Sequence, residues 1–336
     1  MKILILRFSS IGDIVLTTPV IRALKNQLEE VTLHFATKQE NEKIVVNNPH
    51  LDKIHLLKTS LSELISALRK EKFDLVIDLH HNMRTFAIKA ALGVKSKSYQ
   101  KLNIEKWMMV IFKINKLPAK HIVDRYMDTV AHLGVKTDGE GLDYFIPEID
   151  QVEIDWLPEP YREGFVAFVI GGKHATKRLP KERIIELCDR INKPIVLLGD
   201  ANDAQIGVEV EAFFKREEGP NKYTEGLDAL GKRAIVFNAC GKFNFNQSAS
   251  LIKQARWVFT HDTGLMHVAA AFQKEIFSIW GNTIPEFGMY PYQTKFTIFE
   301  NKKLDCRPCS KIGFDNCPKG HFKCMKEVTF DFYLPD

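Results

Sequence analysis

Asp13 is the first side chain in the sequence that could act as a general base. It follows an apolar run rich in branched residues, at residues 2–8, and lies in a polar turn with Ser10 and Gly12. Ligands of open α/β sheets bind beyond the carboxyl ends of the strands, where an ionised carboxylate can take a proton from a hydroxyl group. The alternative is that Asp13 caps the helix after the turn, because Asp is a favoured N-cap residue.

A second group of residues, in the C-terminal half, could hold phosphate. One apolar run opens onto a glycine-containing basic loop that carries Lys177. Another opens onto Asp262, Thr263 and Gly264, where an Ala-rich helix begins. The free N–H groups of a helix N-terminus and the charge of a lysine together favour a diphosphate. Simple capping of the helix by Asp262 or Thr263 is the alternative.

Short apolar runs alternate with amphipathic helices through both halves of the chain, which is typical of α/β domains with parallel sheets. Three prolines between residues 146 and 160 interrupt this alternation. We therefore predict two Rossmann-like domains, at residues 1–155 and 156–336. Within the second, the polar, glycine-containing residues 216–233 are predicted to form a mobile insertion.

The first helix carries two start signals, Asp13 and the pair Thr18-Pro19. Thr at N-cap with Pro at the first helical position is itself a helix start. Either a single turn at Asp13 precedes the main helix, or Pro19 kinks one continuous helix.

The composition is that of a globular protein, with 336 residues, of which 45% are hydrophobic and 26% charged. No signal-peptide pattern precedes the first apolar run. The longest apolar stretch, residues 107–114, is far shorter than the roughly 18–20 residues that span a bilayer. We therefore expect a cytoplasmic protein.

Positive charge is concentrated in residues 84–125, which hold ten Lys or Arg against two acids, while the whole chain has a net charge of +5. Trp107, Met108 and Phe112 lie among these cations. The segment is either a solvated helical face or a docking surface for an anionic, partly apolar partner such as a phosphorylated lipid or a membrane surface. No recognised nucleic-acid motif accompanies it, so we expect no nucleic-acid partner.

Four of the six cysteines follow the pattern C-x2-C-x7-C-x6-C: Cys306, Cys309, Cys317 and Cys324. A structural zinc site, unpaired or redox-labile thiols, and disulfides are all compatible with this spacing, although a reducing cytoplasm disfavours disulfides. The other two cysteines, Cys188 and Cys240, are predicted to be lone buried thiols.

Residues 9–13, 177–180 and 262–267 together resemble the three hallmark stretches of glycosyltransferase family 9, the family of the lipopolysaccharide heptosyltransferases. Arg125-Tyr126 and Gly281 also fit this family. The resemblance implies a GT-B fold, in which two Rossmann-like domains face each other across a cleft. It further implies that the first domain binds mainly the acceptor and the second the nucleotide sugar.

The resemblance also implies roles for individual residues. It makes Asp13 the general base and Lys177 the donor-phosphate lysine. The expected donor-binding residues are Lys177, Asp262, Thr263, Gly264, His267 and Gly281. The expected acceptor-binding residues are Ser10, Gly12, Arg84 and Arg125. The sequence before Lys177, Gly-Gly-Lys-His-Ala-Thr, departs from the small-residue Ser/Thr pattern of the family.

The expected activity is therefore inverting transfer of a heptose from ADP-heptose to an inner-core lipopolysaccharide acceptor at the cytoplasmic face of the inner membrane. No D-x-D triplet occurs in the sequence, and no metal is expected in the chemistry. The alternatives are another GT-B nucleotide-sugar enzyme, such as an epimerase or a transferase of a different sugar, and a non-catalytic homologue that only binds a nucleotide sugar.

Overall fold

The computed structural model of the chain describes residues 1–215 and 234–335. The insertion predicted at residues 216–233 lies outside the described residues. The described strands are β1 (Lys2–Leu6), β2 (Thr32–Lys38), β3 (Lys53–Leu57), β4 (Leu75–Asp78), β5 (Lys95–Ser98), β6 (Val166–Val169), β7 (Ile195–Leu198), β8 (Val236–Asn238), β9 (Trp257–His261), β10 (Glu275–Trp280) and β11 (Phe296–Glu300).

The helices lie between these strands. They are α1 (Ile11–Val15), α2 (Thr18–Gln27), α3 (Glu42–Val45), α4 (Leu61–Glu71), α5 (Met83–Leu92), α6 (Asn103–Phe112), α7 (Ile122–Met127), α8 (Glu159–Arg162), α9 (Lys181–Ile191), α10 (Ala204–Lys215), α11 (Phe245–Gln254), α12 (Gly264–Ala271) and α13 (Lys323–Lys326). None of the described helices has the length and apolarity that crossing a bilayer takes.

The strands form two separate parallel sheets with the same topology. The first has the order β3-β2-β1-β4-β5, and the second β11-β10-β9-β6-β7-β8. Counted within each half, both follow the doubly wound order 3-2-1-4-5, and the second adds a sixth strand. The central strands are buried on both faces, as continuous runs of branched apolar residues predict.

The strand order reverses direction beside β1 in the first sheet and beside β6 in the second. Such switch points leave a crevice outside the carboxyl ends of the strands, and ligands of open α/β sheets bind there. Asp13 follows β1, and Asp262 follows β9, the neighbour of β6. The topology therefore places both predicted site turns, the one with Asp13 and the one with Asp262, beside a crevice.

The helix after β1 is broken in two. The short α1 ends at Val15, and α2 begins at Thr18 with Pro19 in its first turn. The first of the two sequence alternatives, a single turn before the main helix, is the one observed. Because Pro19 lacks an N–H, it costs nothing at the start of α2 but would interrupt a continuous helix.

The largest apolar cluster is shared by the two sheets. It contains β1 residues such as Ile3, α2 residues such as Ile21, and Val268 of α12. The residues between the two sheets contribute Tyr144 and Leu157 to the same cluster. The two sheets lie on either side of the predicted domain boundary at 155/156, and the boundary itself stays a prediction.

Candidate active site

Asp13 is the third residue of α1 and Ser10 is the N-cap residue, so the alternative that Asp13 is the N-cap is wrong, although its carboxylate completes a capping box with Ser10. One oxygen of Asp13, Oδ2, accepts hydrogen bonds from the backbone N–H of Ser10 at 3.1 Å and from its hydroxyl at 2.8 Å. The other, Oδ1, lies 2.8 Å from a guanidinium nitrogen of Arg7. The carboxylate is thus held from both sides.

Arg7 is fixed in turn by the strands around it. Its Nε donates to the carbonyl of Ser9 at 2.7 Å, and its Nη1 donates to the Tyr126 hydroxyl at 2.9 Å and to the carbonyl of Leu79. Burial alone would raise the pKa of Asp13, but Arg7 and the hydrogen bonds from Ser10 outweigh burial and lower it. Asp13 is therefore ionised throughout the neutral range.

The turn that carries Asp13 packs directly on the start of α12 from the other sheet. A Cβ placed on Gly12 would lie 2.7 Å from Cδ2 of His267 and 3.2 Å from Cα of Gly264. A Cβ on Gly264 would lie 3.3 Å from Cγ2 of Ile11. A side chain at Gly12 would force its neighbours to shift, and one at Gly264 would be tight, so the small residues let the predicted base and the predicted phosphate-binding helix come together.

Lys177 lies at the end of a short 3₁₀ turn, Ala175–Lys177, and reaches the same place. Its Nζ lies 2.5 Å from Oδ2 of Asp262, and that oxygen also accepts a hydrogen bond from the Thr283 hydroxyl at 3.0 Å. Thr263 is the N-cap residue of α12, but its side chain makes no capping hydrogen bond. The structure therefore pairs Lys177 with a carboxylate, which the sequence did not predict.

His267 lies between the two turns. It is 2% exposed, and its Nδ1 has no hydrogen-bond partner. Burial lowers the pKa of His267 to about 4, although the nearby carboxylates of Asp262 and Asp13 oppose the shift. The ring is therefore neutral at pH 7, and its Nδ1 is a buried polar atom without a partner. Its predicted donor-binding role stays a prediction.

Gly281 follows β10 in a tightly packed place. A Cβ there would lie 2.5 Å from the carbonyl oxygen of Thr176, in the turn before Lys177, and 2.8 Å from Cε of Met325. The carbonyl of Gly281 accepts a hydrogen bond from Nε of Arg307 at 2.5 Å. The structure thus gives Gly281 a packing role beside the Lys177 turn, and its contact with the donor stays a prediction.

Arg84, at the start of α5, lines an open cavity of about 600 Å³ together with Lys38 and Lys58. Its guanidinium carbon lies 5.3 Å from the centroid of the Phe8 ring, two residues after β1. The cavity therefore lies at the carboxyl edge of the first sheet, and of its three cations Lys38 is paired with Glu40, which lines the same cavity.

Arg125, on α7, is buried and faces the second half of the chain. Its Nη2 lies 3.3 Å from the carbonyl of Phe287, and its Nε has no hydrogen-bond partner. Burial lowers the pKa of Arg125. Burial and the nearby charge of Arg125 lower the pKa of Lys106 to about 8. Burial also lowers the pKa of Lys101.

These three cations, Arg125, Lys106 and Lys101, form no ion pair with any carboxylate among the described residues. The negative charge of Asp13 raises the pKa of Lys101 and Lys106 and so opposes part of the lowering by burial. Both lysines are therefore close enough to interact electrostatically with the predicted base. Lys311, from the distant cysteine-containing loop, adds a further positive charge there and hydrogen-bonds the carbonyl of Asn103 at 3.1 Å. A surplus of positive charge in a partly buried place favours an anionic ligand.

The rest of the basic segment is surface. No residue of α6 is buried, and Ile104 and Trp107 are 71% and 48% exposed. Lys95 and Lys97 are exposed on β5, which forms one edge of the first sheet. Lysines on an edge strand also discourage pairing with other chains, so the solvated-face alternative is adequate for those two residues.

All six cysteines are free thiols, and Cys188 and Cys240 are buried as predicted. In the cysteine-rich loop, Cys306 Sγ lies 3.8 Å from Nε2 of His321, and Cys309 Sγ donates to the carbonyl of Cys306 at 3.1 Å. These groups are neighbours but do not form a compact set of three or more ligand atoms. A structural zinc in this loop stays a prediction.

Two of the residues described above had no role in the sequence-based site. Arg7 could have been noticed, because a charged residue at the end of a buried apolar run needs a partner. Lys311 gave no signal, because it lies some 300 residues from Asp13 in a polar loop.

Comparison with known proteins agrees with this geometry. The sequence model of glycosyltransferase family 9 (heptosyltransferase) matches residues 61–318. The chain is similar to lipopolysaccharide heptosyltransferase 1 of Campylobacter coli, with 22% identity over 329 residues, covering 91% of this chain and 89% of that protein.

Solved structures show the same fold. The family 9 glycosyl transferase from Veillonella parvula DSM 2008 is similar with a TM-score of 0.68 and 22% identity, over 88% of this chain and 86% of that chain. The ADP-heptose lps heptosyltransferase II of E. coli is similar with a TM-score of 0.65 and 17% identity, over 97% and 98%. Since the two doubly wound sheets match these structures, the fold is GT-B, as the resemblance implied, and the family model covers most of the chain. The chain belongs to glycosyltransferase family 9 (heptosyltransferase).

Proposed function

We propose that this glycosyltransferase moves a heptose from ADP-heptose to an inner-core lipopolysaccharide acceptor, with inversion at the anomeric carbon and with Asp13 as general base. The observation that carries the proposal is the packing of the Asp13 turn on the start of α12, where Gly12 and Gly264 meet. It brings an ionised carboxylate from one sheet beside a helix N-terminus and a lysine from the other.

The proposed step is a single displacement. Asp13 takes the proton of the acceptor hydroxyl as that oxygen forms a bond to the anomeric carbon. The bond from this carbon to the diphosphate oxygen breaks on the opposite face, and ADP leaves with the electron pair. Arg7 keeps the carboxylate ionised and fixed, and this favours its role as a positioned base.

On the donor side, the departing diphosphate gains negative charge. Lys177 and the N–H groups at the start of α12 are the donors that would stabilise it. Lys177 can turn from Asp262 to the diphosphate, because a lysine ammonium is a point charge on a flexible stem. These groups supply the positive field by themselves, so we propose chemistry without a metal ion. The ADP-heptose donor is supported by the similarity to the E. coli structure named for it.

On the acceptor side, two cationic places lie at the edge of the first sheet. One is the open cavity with Arg84, and the other is the set of unpaired cations around Lys106 and Arg125. An acceptor with phosphates and sugar carboxylates supplies anions for both. Ser10 and Gly12, in the turn between them, are proposed to contact the acceptor hydroxyl.

We also propose peripheral contact with the cytoplasmic face of the inner membrane through α6. Ile104, Trp107 and Ile111 are exposed on this helix, and basic residues surround it. Exposed apolar side chains among cations are typical of helices that lie in the interface of an anionic membrane. This contact would keep the enzyme close to a lipid-linked acceptor.

Replacement of the base tests the proposal. Asp13→Ala should lower the rate of heptosyl transfer by about 10² to 10⁴, since that is the usual contribution of a general base. ADP binding, measured by calorimetry, should remain within a few-fold of the unchanged protein. Asp155→Ala removes an exposed carboxylate outside the cleft and should leave both measurements unchanged.

Two results would count against the assignment. Near-normal transfer by the Asp13→Ala variant would show that Asp13 is not the general base. A product with the same anomeric configuration as the donor would rule out the single displacement.

A further inference from the structure

A second cluster of chemically capable side chains lies in the first sheet, away from the Asp13 turn. It consists of His34 on β2, His55 on β3 and Glu71 at the end of α4. His34 pairs in register with Leu4, whereas Asp13 follows the carboxyl end of β1. The proposed transfer chemistry uses none of these three residues.

The ligand atoms of the cluster are already close together. Nδ1 of His34 lies 2.9 Å from Nε2 of His55 and 3.9 Å from Oε2 of Glu71. Among the described residues, this is the only group of three or more His, Cys, Asp or Glu side chains whose ligand atoms all lie within 4.8 Å of one another. Two imidazoles and one carboxylate in such a compact set are the donors of three-ligand zinc sites.

The contact between the two rings is a hydrogen bond, so one of the two nitrogens that face each other carries a proton. A metal ion bound by both rings would take the place of that proton, and metal binding at this site would therefore release or relocate it.

We propose that His34, His55 and Glu71 form a binding site for a divalent metal ion of the zinc class, with three protein ligands and an open fourth position. The site would join β2, β3 and the end of α4, three elements that meet at one side of the first sheet. β3 is the edge strand of that sheet and has a neighbour on one side only. A metal there would tie this edge to the rest of the sheet.

Two lysines compete with the metal. Lys53 Nζ lies 2.5 Å from Oε1 of Glu71, and Lys2 Nζ lies 3.2 Å from Oε2. The Lys53 side chain is 54% exposed, so it can swing into solvent when a metal takes its place. The proposal therefore makes an unusual prediction, that removal of Lys53 strengthens metal binding.

The experiment uses the full chain with Ser in place of all four loop cysteines, Cys306, Cys309, Cys317 and Cys324, so that their thiolates cannot account for any binding. Zn²⁺ is titrated by calorimetry and by the shift in melting temperature, and Co²⁺ is used as a spectroscopic probe of the ligands. In this background one Zn²⁺ should bind per chain. Co²⁺ should show the spectrum of a nitrogen and oxygen site, without a thiolate band.

Three further variants separate the site from unspecific binding. His55→Gln should weaken Zn²⁺ binding by at least roughly tenfold, in line with the loss of a ligand contact. Lys53→Met should tighten it, because it removes the competing cation. His50→Gln changes a histidine between β2 and β3 that is not part of the cluster, and it should have no effect.

The proposal fails if the cysteine-depleted protein binds no Zn²⁺ at micromolar concentration. It also fails if His50→Gln and His55→Gln weaken binding equally, or if Lys53→Met has no effect on the affinity. Because the readouts are metal binding and melting temperature, these failures would leave the proposed transfer activity untouched.

Discussion

The two switch-point turns hold the same kind of ion pair in different ways. In the first half Asp13 pairs with Arg7, and in the second Asp262 pairs with Lys177. Arg7 makes further hydrogen bonds to two carbonyls and a hydroxyl, which fix its planar guanidinium. Lys177 makes one further contact, a long hydrogen bond of 3.4 Å to the carbonyl of Asp262.

The difference indicates which partner does the chemistry. In the Arg7–Asp13 pair several hydrogen bonds fix the cation, so we propose the carboxylate as the working group. In the Lys177–Asp262 pair Thr283 also holds the carboxylate and the cation has a flexible stem, so we propose the cation as the working group. In this proposal the first turn removes a proton, and the second follows a developing negative charge.

After replacement of Asp13 itself, the largest effect is expected when the cation of the second pair is removed. Lys177→Met should lower the rate of transfer by about 10² to 10³ and weaken ADP binding, because a charge-assisted contact to the diphosphate is lost. Lys173→Met, in the same loop but exposed, is the matched control and should keep both values. Added chelator should not change the rate of the unaltered enzyme, and a strict requirement for Mg²⁺ would contradict the metal-free account.

A methyl group added at Gly12 tests the contact between the Asp13 turn and the start of α12. Gly12→Ala places a Cβ 2.7 Å from the His267 ring and should lower the free energy of unfolding by about 1 to 3 kcal/mol through overpacking. Displacement of the Asp13 turn should also lower the rate of transfer, by roughly tenfold or more. His267→Ala removes the nearest contact, so in that background Gly12→Ala should cost less stability than it does in the unaltered protein, with the 3.2 Å approach to Cα of Gly264 remaining. An equal cost of Gly12→Ala in both backgrounds would show that the strain lies elsewhere.

The fixed pair makes a prediction about pH. Because Arg7 lowers the pKa of Asp13, Arg7→Gln should raise that pKa, and the acid limb of the pH–rate profile should move upward by roughly 1 to 3 units. Ser10→Ala removes one hydrogen bond to the carboxylate and should give a smaller shift in the same direction. Asp262→Asn, which breaks the other pair, should leave the acid limb in place. A shift of equal size in that variant would remove the distinction between the two pairs.

The smallest effect concerns the unpaired cations of the first half. Lys101→Gln with Lys106→Gln should raise the KM for a phosphorylated lipid acceptor and leave the KM for the nucleotide sugar unchanged. Lys95→Gln with Lys97→Gln, on the edge strand, is the control of equal charge. This control variant should leave both KM values unchanged and weaken only the binding to anionic vesicles. That binding should be sensitive to salt, since exposed charges are screened beyond about 8 Å. Equal changes in both KM values would return these residues to ordinary surface.

The sequence predicted the alternation of apolar strands and amphipathic helices in both halves, but it did not reveal most of the edge strands. Three of the four edge strands of the described sheets, β5, β8 and β11, were not predicted. β5 reads Lys-Ser-Lys-Ser, and a strand with one neighbour needs no apolar pattern, so its pairing with β4 is visible only in three dimensions.

In the candidate site, too, local features were predicted and contacts between distant segments were not. Local patterns located the turns with Asp13, Lys177 and Asp262, because each follows an apolar strand. They did not reveal that Lys177 is paired with Asp262, 85 residues away. Nor did they reveal that Asp13 and His267 lie on opposite sides of one contact, since ion pairs and close approaches between distant segments have no periodicity.

The apolar cluster that both sheets share also bears on synthesis at the ribosome. The first sheet has all its strands once residue 98 has been made, but the cluster is complete only after Tyr292. At roughly 5 to 20 residues per second, translation of the intervening segment takes on the order of ten to forty seconds. During that interval the nascent first half exposes the side chains of α1 that α12 covers in the folded chain, and apolar surface exposed in this way is the kind that chaperones bind.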